Sequence, residues 1–392
     1  MMPMRHFNKH LMLACSFCLS SLSYAQSPTY ISYEEAKIAQ AVKELPLIAD
    51  KYQRQVARFS AELTSLKDAS KVTSLVIEHA SKLWYIARND VQREQSFDGR
   101  SLYWGRLQLS KALKVSALFH QLTPVQQQQL LWQLELASRG NEDIDFQQNT
   151  DKKIVITGFD PFFLHRNIGQ ANPSGIAALS LDGMIIEHQG QTAEIQALMI
   201  PVRFADFDQG MIESMLTQHF KNPDVDMIVT ISMGREHFDL ERFPGLRRSA
   251  EAPGNRGFYT GANSKAPLKP LLHDEPLQGP EFVEFSLPVK AMQQAQGAYQ
   301  VIDNGKVETL EKGKFAAKTL AELAQQTSVN GSGGGYLSNE ISYRSILLRD
   351  KYRRDFPVGH IHTPRISSYE QPQVKAIVEQ IKAMLQYSIS EI

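Results

Sequence analysis

Two patterns along the chain predict an α/β domain, a three-layer α/β/α sandwich, preceded by a mostly helical N-terminal domain. Up to about residue 150, apolar side chains recur at the three- and four-residue spacing of helices. Beyond it, short continuous apolar runs alternate with helical stretches, as strands buried on both faces of a sheet do. A chain of 392 residues suits two domains. The pattern divides it into residues 1–25, 26–150 and 151–392.

Residues 1–25 read as a secretory signal peptide. Arg5 and Lys9 make a basic start, Leu11 to Leu22 is apolar, and Ser23-Tyr24-Ala25 supplies small residues before a cut at Gln26. The apolar stretch is too short to span a bilayer, and no later run approaches the ~20 apolar residues a spanning helix needs. An exported protein, periplasmic or secreted, is expected, with no membrane attachment after cleavage. Both cysteines of the chain, Cys15 and Cys18, fall inside this segment. The mature chain would then have no disulfide, no cysteine metal site and no thiol nucleophile. Lys plus Arg and Asp plus Glu each number 42, so net charge gives no case for binding nucleic acid or an anionic membrane.

In residues 26–150, Glu34 to Val42 favours helix, and Val72 to Asn89 places Val72, Leu75, Val76, Ala80, Leu83 and Trp84 at helical spacing. Arg100 to Leu113 reads as a helix with Tyr103, Trp104, Leu107 and Leu109 in the core. Pro124 to Ser138 is the clearest helix: Thr123 can cap it, Pro124 suits its first turn and Gly140 can end it. Asn141 to Asp151 is polar and acidic, a linker. Strands are predicted at Lys153 to Thr157, Ala197 to Val202 and Met227 to Ile231. Helices are predicted near Gly175 to Leu181, over Asp206 to Phe220 and from Gln373 to Gln386.

Several segments of the second half occur in a telling order. They are Thr157-Gly158-Phe159-Asp160-Pro161-Phe162 with Asn172-Pro173-Ser174, then Pro201-Val202-Arg203-Phe204, then Gly234-Arg235 with Glu241-Arg242. Leu287-Pro288, Gly334-Gly335-Tyr336-Leu337-Ser338-Asn339 and Gly359-His360-Ile361-His362-Thr363-Pro364 follow. Residues 151–392 thereby resemble the pyroglutamyl peptidase I (pyrrolidone-carboxylate peptidase) family. That resemblance implies the fold named above and an omega peptidase that removes an N-terminal pyroglutamyl cap with a Cys-His-Glu triad. The matching residues are Ser338, His362 and Glu241, so serine stands where the family has its cysteine. The resemblance further implies that Phe159 and Phe162 sandwich the cap and that Asn172 hydrogen-bonds it. It implies no cofactor.

In such a triad His362 takes the proton of the nucleophile, and Glu241 holds the imidazole tautomer. A serine hydroxyl is a weaker acid than a thiol and needs concerted help from that base. Amides near Gly334, Gly335 and Ser338 could form an oxyanion hole. The sequence departs from the family at Ile231, which replaces a glutamine, at Glu251, which replaces an arginine, and in an extra segment before Ser338.

Two readings result. One is an exported hydrolase acting on small peptides through a Ser-His-Glu triad. The alternative is a catalytically inactive protein on the same fold that binds a small ligand or peptide end. The N-terminal domain could cover the site or mediate assembly into a homo-oligomer. His360 and His362 share a strand face as a metal pair would, but no third ligand stands at a telling spacing. Arg247 and Arg248 read as a solvated loop.

Overall fold

The structure, a computed structural model, describes residues 30–94, 96–146 and 149–392. The expected signal peptide and both cysteines lie outside them. The N-terminal part folds into α1 (Ile38–Glu44), α2 (Pro46–Ala49), α3 (Gln53–Ser65), α4 (Val72–Glu94), α5 (Arg100–Val115), α6 (Ala117–Gln121) and α7 (Pro124–Ala137). Helix α7 starts where its sequence says it should. Thr123 Oγ1 accepts from the Gln126 amide while the Gln126 side chain accepts from the Thr123 amide, which satisfies donors that a helix start leaves open.

The second part begins with β1 (Lys152–Phe159), α8 (Pro173–Leu181), β2 (Ile185–His188), β3 (Gln191–Ile200), α9 (Phe204–Asp208), α10 (Met211–Lys221), β4 (Met227–Met233) and β5 (Phe238–Glu241). It continues with β6 (Leu271–Leu272), β7 (Glu275–Pro276), α11 (Val289–Met292), β8 (Val301–Asn304), β9 (Lys306–Thr309), β10 (Gly313–Ala316) and β11 (Ser328–Asn330). It closes with α12 (Leu337–Lys351), β12 (Val358–Thr363) and α13 (Gln371–Ser388). The helix expected over Asp206 to Phe220 is two helices, α9 and α10. Gly210 separates them in the left-handed region, at φ 79°.

Seven strands form the main sheet in the order β2-β3-β1-β4-β12-β5-β8. Pairing is parallel from β3 through β1 and β4 to β12, and again between β5 and β8; the β2–β3 and β12–β5 pairs are antiparallel. Helices α8 and α13 pack together on one face, while α10 and α12 cover the other. The carboxyl ends of β1, β4 and β12 share one edge, where α/β sheets commonly hold ligands. The extra segment before Ser338 contributes β8 and a separate sheet of β10-β9-β11 with its own small core around Phe243, Phe282 and Val307.

The hydrophobic core does not stop at residue 150. Phe59, Trp84, Leu109 and Leu134 belong to the same buried cluster as Ile154, Ile176, Leu179 and Ile228. Every residue of α8 is buried, because α8 lies between the sheet and α4. An all-apolar helix requires that kind of cover. Tyr103, Trp104, Leu107 and Leu109 of α5 are core residues, as their spacing predicts.

Candidate active site

His362 and Glu241 sit on adjacent strands. β12 and β5 pair His362 with Asp239, and Glu241 is two residues further along the same face. The Glu241 carboxylate meets the His362 ring at Nδ1. Glu241 is fully buried and His362 nearly so. A proton on Nδ1 donated to this carboxylate leaves Nε2 with its lone pair, which is the tautomer a general base needs. Gly234, at the end of β4, sets the ring's place. A Cβ there would stand 2.5 Å from His362 Cβ, so only glycine lets the two strands approach.

Glu241 has further partners. Arg235 Nη2 donates to Oε1 at 3.3 Å while also bridging to Asp239 at 2.9 Å. Asn304 Nδ2 donates to Oε2 at 2.8 Å and to the Ser332 carbonyl oxygen at 3.1 Å. Asn304, opposite Glu241 in the β5–β8 register, therefore joins the acid to the glycine-rich loop that leads to Ser338. Nothing in the sequence signals this residue, because it lies in the segment that the family resemblance does not cover.

Ser338 lies in the first turn of α12 and is half-buried. Its hydroxyl donates to the Gly333 carbonyl oxygen at 3.3 Å. Among the described residues no hydrogen bond joins Ser338 to His362. The preceding loop is held firmly. Ser249 and Ala250 amides both donate to the Gly335 carbonyl. The Asn339 side chain pairs with Gly245 like a strand, donating to its carbonyl at 2.7 Å and accepting from its amide at 2.9 Å. The Gly334 amide is not free for an oxyanion. It donates to the Gly331 carbonyl at 2.9 Å within a tight turn, with Gly334 at φ 87°. No side chain caps α12, so the first-turn amides of Leu337, Ser338 and Asn339 have no acceptor within the helix.

The three residues expected to line a substrate pocket take different positions. Asn172 caps α8: its Oδ1 accepts from the Ser174 amide and hydroxyl, and its Nδ2 donates to the Asp160 carbonyl at 3.0 Å. Phe159 is buried and stacks on Phe207 with ring centroids 6.4 Å apart. Phe162 is half-buried beside Phe163. Gly99 to Tyr103 of the N-terminal part close over Phe159, Asp160 and Asn172, leaving a cavity of only about 10 Å³.

Asp160 itself is consumed by that N-terminal part. Arg106 Nη2 reaches it at 2.5 Å and Arg139 Nη1 at 2.9 Å. Arg139 also holds Glu135 at 2.8 Å, and Glu135 holds Arg203 at 2.7 Å. Arg203 continues to Glu34 at 2.6 Å and Asp206 at 3.1 Å. Burial alone would raise the Glu135 carboxyl, but Arg203, Arg139 and Arg106 outweigh it and hold the group well below its ordinary value.

Other expectations change. Arg247 and Arg248 are not a solvated loop. Arg248 is buried between Glu340 and Asp208, and Arg247 forks onto Glu281. Both ring nitrogens of His360 meet hydroxyls, Thr230 at 2.8 Å and Ser232 at 2.7 Å. Burial, and then the His362 ring, push its imidazole well below the ordinary value. Ile231 is fully buried. Its register with Ile361 puts it on the opposite sheet face from His362, away from the candidate site.

Residues 153–272 and 299–367 match the family model described as PA0049, C-terminal domain, and residues 19–135 match the PA0049 N-terminal domain. The chain is 27% identical over 401 residues to PA0049 of Pseudomonas aeruginosa, covering 78% of this chain and 72% of that protein. It is 24% identical over 212 residues to a pyrrolidone-carboxylate peptidase of Lacticaseibacillus paracasei, covering 54% of this chain and 77% of that one. A Streptococcus pyogenes pyrrolidone-carboxylate peptidase is 27% identical over 218 residues, with the same coverage. Among solved structures, pyrrolidone carboxyl peptidase of Pyrococcus furiosus aligns at TM-score 0.40 and 20% identity, over 61% of this chain and 99% of that one. Pyroglutamyl peptidase I of Bacillus amyloliquefaciens aligns at TM-score 0.41 and 20% identity, over 61% and 98%.

Proposed function

We infer that this chain, a distant relative of the pyrrolidone-carboxylate peptidases, is an exported hydrolase that removes a pyroglutamyl or similar small cap from short peptides. Ser338 attacks the carbonyl carbon as Nε2 of His362 takes its proton. Glu241 fixes the imidazole and stabilises the cation that forms. His362 then returns the proton to the leaving amine, and water repeats the sequence to release the acid from the serine ester. The amides at the start of α12 are the donors for the oxyanion, with the positive end of that helix behind them. Phe162 forms one wall of the cap pocket, with Phe159 behind it. Export rests on the N-terminal sequence alone.

The observation that carries this reading is the buried Glu241–His362 pair, with its second carboxylate oxygen tied through Asn304 to the loop of the serine. A buried carboxylate against an imidazole orients a base. The competing reading, a binding protein without turnover, draws on one fact: the Ser338 hydroxyl donates to Gly333. For catalysis the hydroxyl must leave that carbonyl and donate to His362 instead.

Turnover of a pyroglutamyl fluorogenic amide by the mature chain separates the two. Activity that falls by a factor on the order of 10³ or more in Ser338→Ala and in His362→Ala establishes the serine hydrolase. A folded protein that binds the amide without turning it over establishes the binding protein.

A further inference from the structure

We propose that a second cleft, walled by the N-terminal segment and the loops that follow β1 and β5, is a carboxylate-binding site with Lys37 and Arg256 as its cationic donors. The cleft has a volume of about 250 Å³ and is lined by Tyr33, Lys37, Tyr103, His165, Arg256 and Tyr259 among others. Its three basic groups come from three separate stretches of chain. No Asp or Glu lines it among the described residues. Tyr33 and Tyr259 add hydroxyl donors, and Tyr103, whose hydroxyl is given to Glu34, adds an aromatic wall, a combination suited to an anion carried on an organic body.

The cationic groups are only partly neutralised from behind. Glu34 is the nearest acid to Lys37, but its carboxylate is turned inward. It accepts from Tyr103 Oη at 2.9 Å and forms an ion pair with Arg203, whose Nε is 2.6 Å away. Among the described residues Lys37 has no carboxylate partner. Its ammonium donates to the Tyr33 carbonyl at 3.0 Å and lies over the Tyr33 ring. Arg256 is half-exposed, and its carboxylate contacts are long, 3.9 Å to Glu34 and 3.4 Å to Asp206. His165 is pushed below its ordinary value by burial and then by Arg166 and Lys37, which fits a locally positive field. Burial brings Lys37 down to about 8, with Glu34 opposing.

The cleft is coupled to the candidate active site through its wall. Pro253 accepts from Tyr336 Oη at 2.8 Å, two residues before Ser338, and the Asn255 side chain donates to the Pro161 carbonyl at 2.8 Å, next to Phe162. Resting on the hydrolase reading for its occupant, the cleft takes the free carboxylate of a short peptide whose capped end lies at Ser338.

Calorimetric titration tests the site and its occupant separately. Glutarate is the probe for the site and glutaramide its neutral control, at pH 7 and pH 8. Glutarate binds and glutaramide does not. Lys37→Gln and Arg256→Gln each weaken binding about tenfold or more, with thermal midpoints unchanged. At pH 8 binding takes up a fraction of a proton, seen as a dependence on buffer ionisation heat, and Lys37→Gln removes it. No glutarate binding, equal binding of the amide, or binding indifferent to both substitutions overturns the site. In the Ser338→Ala protein, pyroglutamyl-alanine then binds more tightly than its C-terminal amide, as does pyroglutamyl-glutamate carrying an amidated C-terminus if the side chain is the source. No preference for either peptide, with glutarate still bound, overturns the peptide occupant and leaves the carboxylate site standing.

Discussion

Asn304 satisfies a carboxylate oxygen that has no access to water. Removing its amide leaves Glu241 Oε2 buried without that donor, which costs about 1–3 kcal/mol. Asn304→Ala should therefore lower the urea midpoint by a corresponding amount. It should also lower kcat on a turned-over peptide about tenfold with KM nearly unchanged, because the acid and the serine loop lose their common donor. A variant with full stability and full kcat would show that the bridge is incidental. At this scale the sequence points to residues by motif. Glu241, Ser338 and His362 are recognisable in their motifs. Asn304 is an ordinary polar residue until β8 sets it opposite Glu241.

Asp182 ends α8 and ties three elements together. Its Oδ1 accepts from the Ala197 amide of β3 at 2.7 Å, and its Oδ2 lies 3.3 Å from Arg88 of α4. Burial raises its carboxyl from 3.8 to about 7, against the Ala197 amide and Arg88. The folded state therefore holds this proton between about pH 4 and 7, while the unfolded chain releases it. Its contribution to stability is greatest at the acid end and is lost as pH rises through about 7. Buried His219, brought down to about 4 by burial, acts in the opposite sense. Comparison with Asp182→Asn separates the two. The asparagine keeps an acceptor for Ala197, and Arg88 keeps Asp143 at 2.7 Å. Thermal midpoints should differ least at about pH 4 and below, and the variant should gain on the parent as pH rises, by an amount worth about 4 kcal/mol at pH 8. A difference independent of pH would count against the raised carboxyl.

Elements differ in how plainly the sequence announces them. The apolar runs of β1, β3 and β4, the capped start of α7 and the long period of α13 are local signals, and each predicted segment overlaps its element. The strands β2, β5 and β8 are short, and pairing partners far along the chain select them. Gly210 alone breaks a helical pattern that otherwise continues from α9 into α10.

On the scale of the whole molecule, the N-terminal helices and the α/β part share one core. A chain beginning at residue 151 would expose the face of α8 that α4 covers, and would leave Asp160 without Arg106 and Arg139. We expect that fragment to bind a hydrophobic dye and to lack a cooperative thermal transition, while the full chain melts in one calorimetric step. A soluble fragment as stable as the whole would show that the core is divisible. The sequence hides this coupling: Asp160 and Arg203 stand out only as members of their motifs, and nothing marks Glu34, Arg106, Glu135, Arg139 and Asp206 as residues that meet them. Only folding gathers them.

The junction at Asp160 constrains inheritance. Two guanidinium groups, Arg106 and Arg139, converge on this short acid. Shuffling these helices onto an α/β domain with a longer acid at that point would overfill the space, and shuffling them away would remove both of its partners. The two halves can therefore diverge only in step, each substitution at the seam awaiting its counterpart across it.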